Sequence, residues 1–473
     1  MFSSPEQSLG QTTETQVIRA KLSLDVTPKQ RRRQASGQGF NTERLEDNVK
    51  EPRVLYTPTI HCRPFQAVPL FCTFLILEVL VGMLKGKPVG RLNDSLTSMG
   101  HGLIYEISKL VMRGLELYGY KWLYERRVVD LDWSSPITWW VAAIGVDFAY
   151  YWIHRATHEV NFIWAAHQVH HSSEDYNITT AFRQSIFQRF FAIGFYHPLA
   201  LLGVPLPAIL VHIQFNLLFQ FWIHTELVEN CGPLEWIINT PSHHRVHHGT
   251  NKWCLDKNYA GVFIVWDRMF GTFQQEKKDE KIVYGLVEQP QSFNVIWLQF
   301  YYMVAVLRKA KSMTTWGDTL RALFYGPGWF PGTPRLGDPD TFPDVKASRT
   351  KYDRYLPLWE QVYVAVHFAV ALIVQQVLTI HLMTFSWVTV LGYIIFIVVT
   401  TGIIGATYDG WWWAPLMEAI RCAAYVAYAR TRPVTGYPQI DAALVAYFAV
   451  STLVWASRSL TVLNVATKTA KLE

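Results

Sequence analysis

Charged residues are scarce in this chain, and the scarcity narrows its class. Asp, Glu, Lys and Arg make up 17% of the 473 residues, against about 25% in ordinary soluble domains. Half of the residues are apolar and 15% are aromatic. A disordered chain, a collagen and a small disulfide scaffold are therefore excluded. What remains is a membrane protein with sizeable polar loops, or an unusually apolar soluble enzyme.

Cysteine and clustered basic charge are also nearly missing. The cysteines are odd in number and lack a C-x-x-C pair, so we expect reduced thiols rather than a disulfide framework; they are Cys62, Cys72, Cys231, Cys254 and Cys422. The net charge is +6, and Arg31-Arg32-Arg33 is the one compact basic run. No nucleic-acid partner is expected, because the sequence shows neither a basic face nor a recognition motif.

The N-terminal region lacks an apolar run after the first methionine, which predicts that there is no cleavable signal peptide. Residues 1–60 are polar and of mixed charge, so we expect a disordered tail. Its arginine triplet predicts a cytosolic position. We predict a catalytic membrane domain over residues 61–355 and C-terminal transmembrane helices over residues 356–473.

Apolar segments recur after the tail. A helical span needs about 20 mainly apolar residues, which predicts roughly seven to nine spans here. The segments are 67–84, 136–153, 190–224 (two spans broken near Gly203), 362–382, 385–406, 411–428 and 440–457. Glu78, Glu418 and Arg421 interrupt them, and charges inside a bilayer are costly. Residues 102–117 are amphipathic and are expected at the membrane interface. The predicted fold class is an all-α integral membrane protein, a multi-span helical bundle with a cytosol-facing, histidine-rich di-metal cap.

Histidine is the residue in excess. Of the sixteen histidines, twelve fall between His154 and His248. Three motifs stand out, in the patterns H-x-x-x-H, H-x-x-H-H and H-x-x-H-H: His154 and His158; His167, His170 and His171; His244, His247 and His248. Residues three and four apart share a face of a helix, so each motif directs two or three imidazoles toward one point.

Eight imidazoles exceed what one metal ion needs and divide naturally between two ions, with about four for each. Imidazole suits iron, zinc and copper alike, so the spacing leaves the metal open. His224 ends an apolar span and is predicted as a ninth ligand. His243 points about 100° away from His244 on a helix, so we predict that it is not a ligand. All three motifs lie at span ends on one face of the bilayer, whereas a transporter places its ligands near mid-span.

The three motifs together resemble the signature of the fatty acid hydroxylase superfamily, a group of membrane di-iron oxygenases. The resemblance rests on Asp147-Phe-Ala-Tyr-Tyr-Trp-Ile-His154, on Trp164-Ala-Ala-His167 with its continuation Ser-Ser-Glu-Asp-Tyr-Asn177, on Thr240-Pro-Ser-His-His-Arg-Val-His-His248, and on Asn258-Tyr-Ala-Gly-Val-Phe-Ile-Val-Trp266. The Ser-Ser-Glu-Asp-Tyr-Asn continuation and the loop Gly326–Gly337 favour the branch that cleaves alkylglycerol ether lipids.

That resemblance implies an activity. With oxygen and tetrahydrobiopterin, such an enzyme hydroxylates the carbon next to the ether oxygen, and the product collapses to a fatty aldehyde and a glycerol derivative. It implies two iron ions per chain, a lipid substrate in the membrane (an alkylglycerol or a lyso-alkylglycerophospholipid) and the endoplasmic reticulum membrane. Glu159, beside His158, is implied to support the metal site or catalysis. Nothing in the sequence indicates an oligomeric state.

Further candidates surround the motifs. Asp147 lies two helical turns before His154 and is predicted to accept its second ring N–H. Asn177, Glu174 and Asp175 follow the second motif and are predicted to line the pterin or metal entrance. Three alternative functions stay open: a sterol or sphingolipid hydroxylase or desaturase of the same superfamily, a membrane metal transporter, and a zinc metallohydrolase. The last lacks its usual H-E-x-x-H signature.

Overall fold

A computed structural model describes residues 63–87 and 89–469, and the predicted tail lies outside these residues. The described part is helical, and its β-pairing is limited to isolated bridges. Its α-helices are α1 Arg63–Leu84, α2 Leu92–Tyr124, α3 Pro136–Glu159, α4 Asn161–His171, α5 Gln188–Leu201, α6 Leu206–Trp222, α7 Pro241–His248, α8 Val265–Phe270, α9 Val295–Lys311, α10 Trp316–Phe324, α11 Leu358–His381, α12 Trp387–Asp409, α13 Ala414–Ala429 and α14 Pro438–Thr469. The predicted all-α membrane fold is confirmed.

Three of these helices are long and apolar enough to cross a membrane: Leu358–His381, Trp387–Asp409 and Pro438–Val462. Pro69–Leu84 and Leu206–Trp222 are shorter apolar helices. The long apolar segment 190–224 divides into α5 and α6 as predicted, because Gly203 adopts a positive φ of 80° and Pro205 precedes the first turn of α6. By length and composition, fewer helices qualify as full spans than the sequence predicted.

The amphipathic segment 102–117 is not a separate interfacial helix. It forms the middle of α2, which runs for 33 residues. Leu103 and Ile107 are buried in a core shared with Phe368 of α11 and Ile397 of α12. The first half of the segment thus packs against protein, whereas Leu110 and Leu115 in its second half are exposed. A position at the membrane interface stays a prediction. The same core joins helices on both sides of the predicted boundary at residue 356.

The charges that interrupted the apolar segments have partners inside the bundle. Glu78 of α1 accepts hydrogen bonds from the Thr225 hydroxyl at 2.7 Å and the Ile178 amide at 2.9 Å. Glu418 and Arg421 of α13 form a buried ion pair, and Tyr363 of α11 donates to the same carboxylate. A charge is tolerated in an apolar helix when it is paired in the protein interior, so these residues fasten helices to one another.

Helix direction brings the histidine motifs together. The C-terminal ends of α3 and α6 point to the same end of the bundle, where the short helices α4 and α7 lie across them. The contacts between their histidine rings define this end, which we call the histidine end. The loop Gly326–Gly337 is ordered, as predicted, through a bridge between Gly328 and Gly337.

Candidate metal centre

Each histidine motif occupies a helix, as the spacing predicts. His154 and His158 lie on the last turns of α3, and the other two motifs lie on α4 and α7. His224 follows the end of α6. All nine side chains are buried, with at most 5% of any residue exposed. The centre is thus built by two long helix ends and two short helices.

The structure gathers these nine side chains into two groups. The five-histidine cluster contains His154, His158, His167, His171 and His247. The four-histidine cluster contains His170, His224, His244 and His248. Within each cluster, one ring nitrogen per residue lies within 4.8 Å of all the others. Nine buried imidazoles so arranged are a metal site in geometry and donor chemistry, since imidazole is a common ligand of iron, zinc and copper.

The Nε2 atoms converge in both clusters. In the five-histidine cluster, the Nε2 atom of His167 lies 3.1 Å from that of His154 and 3.3 Å from that of His171. In the other, the Nε2 atom of His224 lies 3.3 Å from that of His170 and 3.0 Å from that of His244. Three further Nε2 atoms are buried without a partner, those of His158, His247 and His248. Buried polar atoms are almost always satisfied, so this convergence fits bound cations.

The protein holds the outer ring nitrogen of four of the nine histidines. Backbone carbonyls accept a hydrogen bond from Nδ1 of four rings: Tyr259 from His154 at 2.8 Å, Arg183 from His170 at 3.3 Å, Gln220 from His224 at 2.7 Å and Lys257 from His247 at 2.9 Å. A proton on Nδ1 leaves Nε2 with a free lone pair. These contacts therefore select the tautomer that ligates a metal and fix the orientation of each ring.

Burial also favours the uncharged form of these histidines. Desolvation lowers the pKa of His167 and His171 on α4, and of His247 and His248 on α7, well below the usual range of histidine. Neighbouring imidazoles lower each pKa further, because like charges repel. The rings are thus neutral at physiological pH, which is the form that binds a metal.

The two clusters adjoin and share their motifs. In each H-x-x-H-H motif the adjacent histidines separate: His170 and His248 enter the four-histidine cluster, whereas His171 and His247 enter the five-histidine cluster. The rings of His171 and His248 stack across the boundary with centroids 4.4 Å apart. Neighbours on a helix point about 100° apart, so one short helix contributes to both sites.

The predicted contact between Asp147 and His154 is wrong. Asp147 accepts hydrogen bonds from the amides of Val262 and Phe263, from Asn216 Nδ2 and from Trp266 Nε1, at 2.7 to 2.9 Å. Seven residues span about 10.5 Å of helix, so a carboxylate two turns away does not reach the imidazole. Asp147 instead anchors the loop whose Tyr259 carbonyl holds His154.

Glu159 lies beside the five-histidine cluster but faces two arginines. Its carboxylate accepts hydrogen bonds from Arg155 Nε at 2.7 Å and from Arg335 Nη1 at 2.9 Å. Arg335 belongs to the loop Gly326–Gly337, so Glu159 fastens that loop to the end of α3. The carboxylate nearest a clustered ring is Asp256, whose Oδ1 atom lies 3.5 Å from Nδ1 of His158.

The acidic residues after the second motif form ion pairs. Asp175 binds Arg91 Nε at 3.0 Å and Lys351 Nζ at 2.6 Å. Glu174 accepts a hydrogen bond from the Tyr352 amide at 2.8 Å. These contacts tie the second motif to the start of α2 and to residues 349–352.

Asn177 differs from its two acidic neighbours. It caps the 3-10 helix Ile178–Phe182, accepting from the Thr179 amide, while its Nδ2 group is buried without a partner.

Residues outside the three histidine motifs also order the centre. His243 lies outside both clusters, as predicted, with its ring against Phe273. Asp256 and Asn258 adopt positive φ values of 58° and 57°, which Asp and Asn tolerate better than most residues. Asp267 accepts hydrogen bonds from the amides of Tyr259 and Ala260 at 2.8 Å. This loop places the backbone carbonyls that hold His154 and His247, and backbone partners leave no trace in a sequence pattern.

Comparison with known proteins agrees with this geometry. The family model for fatty acid hydroxylases matches residues 139–272, which contain all nine clustered histidines. A second model, described as the alkylglycerol monooxygenase C-terminal domain, matches residues 360–445. The histidine end therefore lies in a fatty acid hydroxylase-type domain, and its histidines form the candidate metal centre. No solved structure matches the chain.

Individual relatives narrow the assignment. The chain is 42% identical over 400 residues to alkylglycerol monooxygenase of Homo sapiens, covering 84% of this chain and 89% of the relative. It is 44% identical over 363 residues to that of Xenopus tropicalis, covering 76% and 80%. An ornithine lipid hydroxylase of Rhizobium tropici is 30% identical over 33% of this chain and 47% of its own length. The chain belongs to the alkylglycerol monooxygenase family.

Proposed function

We propose that this protein hydroxylates the ether-adjacent carbon of alkylglycerol lipids, including lyso-alkylglycerophospholipids, with oxygen and tetrahydrobiopterin. The products are a fatty aldehyde and a glycerol derivative. The observation that carries the proposal is the pair of adjoining clusters of nine buried imidazoles. These clusters lie in a chain that aligns with alkylglycerol monooxygenase over 84% of its length. A C–H bond next to an ether oxygen is not acidic, so protein acids and bases cannot oxidise it, and a redox metal that activates oxygen can.

Two iron ions per chain are part of the proposal, one in each cluster. The converging Nε2 atoms of the five-histidine cluster would hold one ion, and those of the four-histidine cluster the other. When bound, iron supplies the redox chemistry that inserts one oxygen atom into the C–H bond, while the second oxygen atom leaves as water with two electrons from the pterin.

The protein's own groups position the ligands and exclude water. The carbonyls of Tyr259, Lys257 and Gln220 hold the Nδ1 protons of three ligands, which keeps each Nε2 available. Burial of all nine rings removes bulk water from the centre, and a dry site protects a reactive oxidant from side reactions. Asp147 and Glu159 act as positioning residues, since both carboxylates are fully engaged with protein donors.

Asn177 is our candidate for contact with the pterin. Its buried, unpartnered Nδ2 group is a free donor next to the second motif, and a pterin ring offers acceptors for such a donor. Glu174 and Asp175 would act through their ion pairs, by holding this segment in place. The enzyme would reside in the endoplasmic reticulum membrane with the histidine end toward the cytosol, where the reduced pterin is available.

The test is an assay of membranes that contain the protein, supplied with an alkylglycerol and with or without tetrahydrobiopterin. Aldehyde release that requires the pterin supports the proposal. Membranes with a His171→Ala variant at equal protein level are the matched control, because that residue ligates in the interior of the centre. Turnover of a sterol or sphingolipid with cytochrome b5 but not of the alkylglycerol, or metal flux without oxidation, would contradict the proposal.

A further inference from the structure

An apolar groove lies between α3, α6 and the loop that contains Val262 and Phe263. Its volume is about 450 Å³, within the usual range for ligand sites. Its lining includes Ala143 of α3, the side chains of Phe215, Leu218, Phe219 and Trp222 on α6, and Phe263 of the following loop. Ala143 creates the space, since its small side chain faces large aromatic rings.

Each of the two helices that wall the groove ends at one of the two clusters. Ala143 lies eleven residues before His154 on α3, which is about 16 Å along the helix axis. Asn216 lies eight residues before His224, or about 12 Å. His154 belongs to the five-histidine cluster and His224 to the four-histidine cluster. On α6 the lining reaches Trp222, two residues before His224, but none of the nine clustered histidines lines the groove. The groove therefore approaches the histidine end without reaching the clusters.

Polarity changes along the groove. Between its apolar part and the histidines, the Tyr150 hydroxyl donates a hydrogen bond to Gln220 Oε1 at 2.6 Å, and the Tyr150 ring lies 5.4 Å from the His154 ring. At the back of the groove, four donors saturate the Asp147 carboxylate. Apart from Asp147, the His212 ring and the Asn216 amide, the lining is apolar. The lining thus suits an amphiphile whose polar end lies at the histidines and whose hydrocarbon chain lies away from them.

We propose that this groove binds the alkyl chain of the ether-lipid substrate and sets the chain length that the enzyme prefers. The inference rests on the proposed function: the reacting carbon is the first carbon of the chain, so the remaining carbons must lead away from the metals. Phe215 and Leu218 of the lining are exposed, so a substrate would enter the groove from the surface of the bundle. The side chain at position 143 determines how much of the chain is accommodated.

The test compares specificity constants for octyl, dodecyl and hexadecyl glycerol ethers in wild type, Ala143→Phe and Ile144→Phe. Ile144 is the matched control, because it is 48% exposed and lies outside the groove. In Ala143→Phe the ratio of hexadecyl to octyl kcat/KM should fall about tenfold, the loss expected when roughly two methylene contacts are excluded. Ile144→Phe should keep the wild-type ratio.

The possible outcomes distinguish a failure of this inference from a failure of the proposed function. Wild type that cleaves none of the ethers refutes the proposed function. Wild type that cleaves them, with an unchanged ratio in Ala143→Phe at normal protein level, refutes the groove.

A second measurement covers a variant that fails to accumulate. Wild-type protein is photolabelled with an alkylglycerol that carries a diazirine at the end of its chain. Adducts in the peptide 206–222 or near Ala143 support the groove, and adducts confined to helices other than α3 and α6 overturn it.

Discussion

Asp147 offers a sharp test of how the centre is held. Four donors converge on its carboxylate, and two of them are the backbone amides of Val262 and Phe263. The loop that supplies these amides also supplies the Tyr259 carbonyl, which holds Nδ1 of His154. The carboxylate therefore acts on the five-histidine cluster only through the loop.

Asp147→Asn keeps the shape of the side chain but replaces one oxygen by an amide group that donates. Whichever way the amide is turned, at least one buried backbone N–H loses its acceptor. One orphaned donor costs about 1–3 kcal/mol and one lost hydrogen bond to a charged acceptor about 1.5–3 kcal/mol. We expect a loss of about 3–5 kcal/mol, a large part of the roughly 5–15 kcal/mol that a typical fold has.

The assay measures thermal stability in detergent, metal content and turnover on the same preparation. Asp147→Asn should unfold at a lower temperature and retain less metal, whereas turnover per bound metal should stay near wild type. Asp130→Asn is the control, since Asp130 forms an exposed pair with Arg127. Full stability and full metal content together with lost turnover would show that Asp147 takes part in the reaction itself, and would refute the positioning role.

Three further predictions concern the centre as a whole. Replacing any of the nine clustered histidines by Ala should abolish turnover and lower the metal content, because one of four or five ligands is lost, whereas His243→Ala should stay active; full activity in two of the nine variants would contradict the shared site. Elemental analysis should find two metals per chain with activity following iron, and a zinc-loaded preparation should be inert because zinc has no accessible redox step; turnover in an iron-free preparation would overturn the di-iron assignment. In a cysteine-free background, Lys252→Cys should react with an impermeant thiol reagent from the cytosolic side and Ser134→Cys from the opposite side; the reverse pattern would exclude the proposed orientation.

The histidine motifs could be found from the sequence because ligands three and four residues apart on a helix leave a periodic trace. The division between clusters could not, since it depends on how α4 and α7 cross the ends of α3 and α6. His170 and His171 are neighbours in sequence and yet belong to different metal sites. The place of His224 at the end of an apolar segment predicts that it is a ligand, and in the structure its Nε2 atom lies beside that of His244.

The partners of the ligands were the least predictable part. Asp147 was placed on His154 because both share a helix face, but sharing a face does not bring atoms together over about 10.5 Å of rise. The residue near His158 is Asp256, ninety-eight positions later, which no local pattern links to it. The partners of the charges within apolar helices are equally hidden, because the sequence does not show that Glu78 meets Thr225.

Through their contacts with Glu174 and Asp175, residues Arg349–Tyr352 stabilise the segment after the second motif, although no motif contains them. A premature stop codon between His248 and Arg349 would leave every histidine in the translated product. It would remove Lys351 and Tyr352, and with them the clamp on the segment after the second motif. It would also remove Asp409, which binds the Ser292 hydroxyl and the Phe293 amide ahead of α9. A survey that scores alleles by their histidines alone would class such a truncation as harmless, although the product would lack the contacts that hold the segment after the second motif.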